Sequence, residues 1–258
     1  MIGIIGGSGL YNAELIYNPK EQEIETKYGK PSAPIKVGVY TSKNIAFLPR
    51  HGIGHTINPT NVNYRANIMA LKKVGVNHII AVNAVGSLKK EIAPGTFVIP
   101  DHFIDFTKKR EYTFYDEDKV CHINVSDPFC EIMRNILIDG CDKLGIPYKD
   151  KGTCAVIEGP RFSTRAESAM YRNYADVVGM TLVPEASLAR EAELCYASLC
   201  VVSDYDNLGE EPVSSEEVLS VMKKNDENVM NLLKEVIPRI PKERECMCKD
   251  ALKGAFMQ

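Results

Sequence analysis

The chain has 258 residues, 45% of them hydrophobic and 25% charged, with a net charge of −3 and a sequence pI near 6.0. This is the composition of a globular protein large enough for a sizeable core, and it excludes a strongly basic field for nucleic acid or an anionic membrane. No apolar run approaches the roughly 20 residues of a membrane span, and the first ten residues lack a basic n-region, so a cytoplasmic protein is expected.

The chain opens with IGIIGGSGLY, residues 2–11, an apolar run followed by glycines around Ser8. A glycine-rich turn after a strand suits a phosphate, but the two familiar forms fail. Asn12 stands where a dinucleotide loop needs its third glycine, and Lys20 comes too late for a triphosphate loop. Further short apolar strands are predicted at 45–48, 79–83, 97–99, 155–157 and 196–203, and their lack of polar alternation suits strands covered on both faces. Between them, a helix is predicted over 61–74, ended by Gly75. Another is predicted over 127–144, with Asp127 as cap, Pro128 in the first helical position and Gly145 beyond its end. Thr164 with Glu167, and Ser214 with Glu217, form capping-box patterns; the second opens a long helix through Val236. No linker or repeat divides the chain. The expected fold is therefore a single-domain α/β sandwich over residues 1–258, a central mixed sheet flanked by helices, with ligands at the strand ends.

Polar residues cluster where those strands should end. FLPRHG ends a strand in Arg50 and His51, AVNAVGSL carries Asn83 and Ala84, and GMTLVPEASLA places Met180 and Thr181 before a helix. With Ser8 they offer an anion a guanidinium fork, hydroxyls and backbone N–H groups. Taken singly, each reads as a surface pair or a helix cap; together, at four strand ends, they read as a site. In IEGPRFSTRAES, Phe162 stands in a Gly-Pro loop, either to stack on a base or ribose or to plug the loop. VVSDYDN ends a strand in Asp204 and Asp206, which alternation puts on one face. Such a pair can hold a metal, move protons or stay solvated. No third acid is placed to help bind Mg²⁺, so recognition plus proton transfer is favoured and no metal is expected.

Eight cysteines are spread through the chain, at 121, 130, 141, 154, 195, 200, 246 and 248. Buried free thiols are the plain reading. Cys246-Met247-Cys248 lacks the usual zinc spacing and no His pair follows it, while intracellular disulfides belong chiefly to hyperthermophiles.

Read in order, GIIGGSGLY, FLPRHGIGHTINPTNVNYRANI, NAVGSLKKEIAPGTFVIPDHFIDFT, REYTFYD, DPFC, IEGPRFSTRAES, GMTLVPEASLA and SDYD span nearly the whole chain. This series resembles the purine nucleoside phosphorylase family, in its 5′-methylthioadenosine phosphorylase branch. The resemblance implies that Ser8, Arg50, His51, Asn83, Ala84 and Thr181 hold inorganic phosphate, the co-substrate, with no cofactor. It implies Met180 beneath the ribose, Phe162 near the base, and His55 and His122 near the 5′ end, with His122 supplied by a neighbouring subunit. Asp204 and Asp206 would face the purine, and Ser163 and Ser215 would tune substrate choice. A homotrimer or a dimer of trimers is implied, as are Cys130–Cys195 and Cys246–Cys248 disulfides, since ECMCKD resembles the C-terminal Cys-x-Cys of thermophilic archaeal members.

The implied reaction breaks the N-glycosidic bond of a purine nucleoside with phosphate. Two aspartates, as hydrogen-bond acceptors, favour the 6-amino group of methylthioadenosine over 6-oxo purines. Two departures from the branch keep methylthioinosine and inosine or guanosine as alternatives. Asn83 replaces a common threonine, and DYDNLGEEPVS lacks a tryptophan often found there. A nucleosidase would need no phosphate cradle, and a dinucleotide oxidoreductase or a non-catalytic nucleotide-binding module is the remaining class.

Overall fold

The structure, a computed structural model, describes residues 1–7, 15–117, 119–209 and 212–257. In chain order its strands and helices are β1 (Ile2–Gly6), β2 (Tyr17–Gln22), β3 (Ile35–Tyr40), β4 (Lys43–Pro49), α1 (Tyr64–Lys73), β5 (His78–Ser87), β6 (Phe97–Val98) and β7 (His102–Asp105). There follow α2 (Glu131–Leu144), β8 (Tyr148–Lys149), β9 (Thr153–Val156), α3 (Arg165–Tyr171), β10 (Val177–Gly179), α4 (Leu182–Glu191), β11 (Cys195–Tyr205) and α5 (Ser215–Val236). Two 3₁₀ turns, Ile237–Arg239 and Met247–Asp250, complete the described chain. None of these helices is long and apolar enough to cross a membrane.

The eleven strands form one mixed sheet, as expected, with β5 and β11 at its centre. Both are apolar and buried along almost their whole length, which fits strands covered on both faces. Alternation divides their side chains between two layers. Ile79, Ala81 and Tyr196 pack with α1 and α4 on one face, through Ile68, Leu71 and Leu188. Ile80, Val82 and Leu199 pack with α2 and α5 on the other, through Met133, Leu137, Val229 and Leu232.

The sheet is split at one place that matters for function. Along one edge, β5 pairs first with β1, parallel, at residues 78–81, and then with β10, antiparallel, at residues 86–87. Because β1 and β10 run toward each other, their C-terminal ends converge on residues 82–85 of β5, while β11 pairs with β5 throughout. Strand ends meeting at a change of neighbour leave a crevice, the usual place for a ligand in an open α/β sheet.

Local signals mostly hold. Asn63 caps α1 by accepting from Ala66 N–H, and Thr164 and Glu167 form the full capping box of α3. Ser214 accepts from Glu217 N–H at the start of α5. The helix predicted from residue 127 begins instead at Glu131, with Cys130 extended at its cap. Tertiary packing overrides the Asp-Pro signal there: Cys130 N–H donates to Tyr196 O, and the Phe129 ring lies between Phe103 and Tyr196. The implied disulfides are not formed. All eight cysteines are free thiols, and Cys130, Cys195, Cys246 and Cys248 converge on one point instead of pairing off.

Helices α2 and α5 touch at Gly140, where an added Cβ would lie 2.5 Å from Val236 Cγ1 and 2.7 Å from Leu232 Cδ1. Overpacking of a fitted core costs about 1–3 kcal/mol. Gly140→Val is therefore expected to lower the urea midpoint by a corresponding amount with an unchanged slope. An unaltered midpoint would mean that the helices are not held this closely.

Candidate functional site

The crevice at residues 82–85 opens into a cavity of about 690 Å³. One wall is built for an anion. Arg50 follows β4, its N–H bonded to Gly6 O at the end of β1, and its side chain is fully buried. Its Nε and Nη2 donate to the two oxygens of Glu185 at 2.7 and 2.8 Å, and Nη1 donates to Val82 O at 3.0 Å. Burial works against its charge, but Glu185 outweighs that and holds the guanidinium firmly protonated. Three of its five N–H groups are thus committed, leaving one on Nη1 and one on Nη2. Tyr196 Oη donates to the same Glu185 carboxylate at 2.7 Å.

Beside the arginine, Thr181 stands at the cap of α4 but does not cap it. Its hydroxyl donates to Asn83 Oδ1 at 2.9 Å, and Asn83 Nδ2 donates to Ser198 Oγ at 2.7 Å. His51 is pushed down to about 3 by burial and by neighbouring Arg50, so its ring is neutral. Its Nδ1 lies 2.8 Å from Ile57 O, an acceptor, which places the proton on Nδ1 and leaves Nε2 as an acceptor. The His55 ring stacks on it with centroids 4.2 Å apart.

The other wall carries the acids. Both side chains flank Gly86, where an added Cβ would meet Asp204 Oδ1 at 2.8 Å and Asp206 Cβ at 2.9 Å. Ser203 donates to Asp204 at 2.7 Å and Ser168 to Asp206 at 2.5 Å. A bulge between Val202 and Asp204 shifts the register of β11 on β5 by one residue before pairing resumes at Asp204–Gly86, and both carboxylates line the cavity. Burial raises both; Asp204 reaches about 6, with the charge of Asp206 adding to the effect. Met180, Phe162 and Ser163 line the space between the two walls, and α5 closes it with Ser215, Val218 and Leu219. Met180 Sδ would lie 2.6 Å from a Cβ on Gly159, whose φ of +68° also suits glycine. Ser163 Oγ is buried and has no protein partner, a polar atom facing the cavity.

The structure thus brings together Arg50, His51, His55, Asn83, Ala84, Phe162, Ser163, Met180, Thr181, Asp204, Asp206 and Ser215 on one cavity. Ser8 lies outside the described residues. His122 does not line the cavity of this chain; it is exposed, with its N–H bonded to Ala255 O.

Comparison with known proteins bears on this geometry directly. The profile of the phosphorylase superfamily matches residues 1–238. S-methyl-5′-thioadenosine phosphorylase of Pyrococcus abyssi is 56% identical over 99% of both chains. The chain belongs to the phosphorylase superfamily, in its 5′-methylthioadenosine phosphorylase branch. Methylthioadenosine phosphorylase of Schistosoma mansoni, solved with adenine, superposes with a TM-score of 0.93 at 39% identity, covering 98% of this chain and 96% of that one. A mutant of the Schistosoma adenosine/methylthioadenosine phosphorylase, solved with methylthioadenosine, gives 0.93 at 38% identity over 98% and 96%.

In this phosphorylase several site residues escaped the sequence reading. Glu185, fully buried, orients Arg50; Ser198 holds Asn83; Ser168 holds Asp206; Gly86 leaves room for both acids. Only Glu185 left a trace, as a lone acid in the otherwise apolar LVPEASLA.

Asp204 binds its proton more tightly in the folded chain than in the unfolded one, because its value rises from 3.8 to about 6. The unfolded chain loses that proton first, so stability falls as pH rises from about 4 to about 6 and stays lowered above it. Asp204→Asn is therefore expected to raise unfolding stability at pH 7.5 by about 3 kcal/mol and to change it little near pH 4. Urea titrations at the two pH values measure this. No gain at pH 7.5 would show that the acid is not held in a desolvated site.

Proposed function

We propose that this chain cleaves the N-glycosidic bond of S-methyl-5′-thioadenosine with inorganic phosphate, giving adenine and 5-methylthioribose 1-phosphate. The observation that carries the reading is the presence, on one cavity, of a fixed arginine fork with two uncommitted N–H groups and a buried acid with a raised pKa. The name borne by relatives at 50–56% identity over nearly the full chain supports the same substrate.

In this reading phosphate is the co-substrate and no cofactor is needed. Arg50 holds the anion together with the Thr181 hydroxyl, which turns its proton from Asn83 to the ligand, and His51 Nε2 accepts the anion's remaining proton. Bond cleavage leaves positive charge on the ribosyl ring and negative charge on the purine. The held phosphate stabilises the first and then attacks C1′ from the face opposite the base. Asp204, protonated, donates to the departing imidazole-ring nitrogen as the C1′–N bond breaks. Fixed charges and dipoles around the cavity supply most of the stabilisation, because they need not reorganise as the charges separate. Asp206 as carboxylate accepts from the 6-amino group, Met180 supports the ribose, and Phe162 covers the base. We assign the enzyme to the cytoplasm and to a trimer or dimer of trimers, with His122 of the partner subunit completing the 5′ side.

Adenine release from methylthioadenosine is expected to vanish when phosphate is left out of the assay. Undiminished release would identify a hydrolase and overturn the proposal. Asp204→Asn is expected to lower kcat on methylthioadenosine by about 10²–10⁴, the usual worth of a positioned proton donor, with methylthioinosine spared by comparison because the new amide N–H can donate to a 6-oxo group and not to a 6-amino group. Equal losses on both would remove Asp204 from base discrimination.

A further inference from the structure

At the opposite end of β11 from the acids lies a second constellation, which the proposed reaction does not use. Cys195 is the first residue of β11, nine positions before Asp204, about 30 Å along a strand. Cys130 stands at the cap of α2, and Cys246 and Cys248 come from the C-terminal turn Met247–Asp250 and the residue before it. The four sulfurs all lie within 4.8 Å of one another, and Cys195 Sγ is 3.2 Å from Cys246 Sγ. Cys130, Cys195 and Cys248 are at most 3% exposed and sit in the apolar layer of α2 and α5.

Two features suit these thiols to a single ion. First, they are mutually close. Sulfurs bound 2.3 Å from a tetrahedral centre stand about 3.8 Å apart, a spacing the cluster can adopt with small side-chain movements. Second, the site is set for negative charge. Arg190, from α4, is 8% exposed; its Nη1 donates to Cys248 Sγ at 3.5 Å, and its buried Nε has no partner. A tetrathiolate around a divalent ion carries a net charge of −2, and this guanidinium faces it.

We propose that Cys130, Cys195, Cys246 and Cys248 form a closed structural site for one tetrahedral divalent metal ion, zinc by the chemistry of its four thiolate ligands. Soft thiolates in tetrahedral array select zinc among the common divalent ions, and a site with four protein ligands leaves no open position for catalysis. Binding releases the thiol protons to solvent, four sulfur–metal bonds form, and no electron moves. The short Cys246-Met247-Cys248 spacing is no obstacle, because the other two ligands come from β11 and α2. The ion would tie the C-terminal segment to the sheet and the start of α2, joining parts of the chain far apart in sequence.

The test uses the full chain, reduced and stripped with a chelator without air, then titrated with Co²⁺ and separately with Zn²⁺. One Co²⁺ per chain is expected, with the intense visible absorption of a tetrahedral tetrathiolate, bleached by an equivalent of Zn²⁺. The Cys246→Ser, Cys248→Ser double variant should lose this spectrum while keeping its circular dichroism, and Cys121→Ser should keep both. Zn²⁺ should also raise the Tm of the stripped chain. Absence of stoichiometric uptake, uptake that survives the double variant, or re-formation of two disulfides in place of metal uptake would each overturn the proposal.

Discussion

The ion pair between Arg50 and Glu185 is the interaction on which the site depends. Both side chains are wholly buried, and the fork-to-carboxylate geometry is bidentate. Taking two charges out of water is expensive, and their attraction repays it only when further hydrogen bonds complete both groups. Val82 O does so for Arg50 and Tyr196 Oη for Glu185. The pair therefore exists only where the end of β4, the split edge of β5, the first turn of α4 and β11 all meet. Removing one partner would leave a buried charge uncompensated, at about 3–5 kcal/mol. The arrangement also changes what an incoming anion feels. With Glu185 already balancing the charge, selection rests on the direction of the two free N–H groups more than on net attraction.

The second wall obeys the opposite rule. Asp204 and Asp206 have no cation held against their carboxylates comparable to Arg50; their acceptors are filled by Ser203 and Ser168, neutral donors. Neutral donors satisfy the oxygens without lowering the desolvation penalty as an opposite charge would, so burial keeps both acids protonated to higher pH. One cavity thus holds an arginine locked in its charged form and an acid that is neutral below about pH 6. That polarity matches a reaction that gathers positive charge on a sugar beside an anion and negative charge on a leaving base.

What the sequence made legible follows from the same physics. The core strands declared themselves because buried strands must be apolar, and β1, β4, β5, β9 and β11 all overlap the predicted runs. β2, YNPKEQ, gave no such signal: every residue in it is exposed, and its pairing with β3 is a backbone matter at the sheet edge. The start of α2 was misplaced because the Asp127-Pro128 signal is local, whereas Phe129 and Cys130 answer to Tyr196 across the sheet. Within the site, residues whose own chemistry meets a ligand could be named from strand ends. Their supports could not: Glu185, Ser198 and Ser168 act through partners 135, 115 and 38 positions away. The cysteines show the limit most plainly, since four separate positions spanning residues 130 to 248 become one cluster only after β11, α2 and the C-terminal turn are assembled.

β11 links the two ends of the molecule. From Cys195 to Asp204 every residue is buried, and its ladder with β5 runs unbroken until the bulge at Ser203. A strand so enclosed has little freedom to shift, because interiors are packed as densely as organic crystals. The position of the acids relative to Arg50 is therefore set by the whole strand, through Tyr196 on Glu185, Ser198 on Asn83 and Ser203 on Asp204. Three hydroxyls on one strand thus serve the anion fork, the crevice and the acid in turn. A register slip of one residue would reverse every side chain, breaking the contacts of Tyr196 with Glu185 and of Ser198 with Asn83 at once. Precision at the site is in this sense a property of strand register, and anchoring the far end of β11 at Cys195 would act on the same degree of freedom.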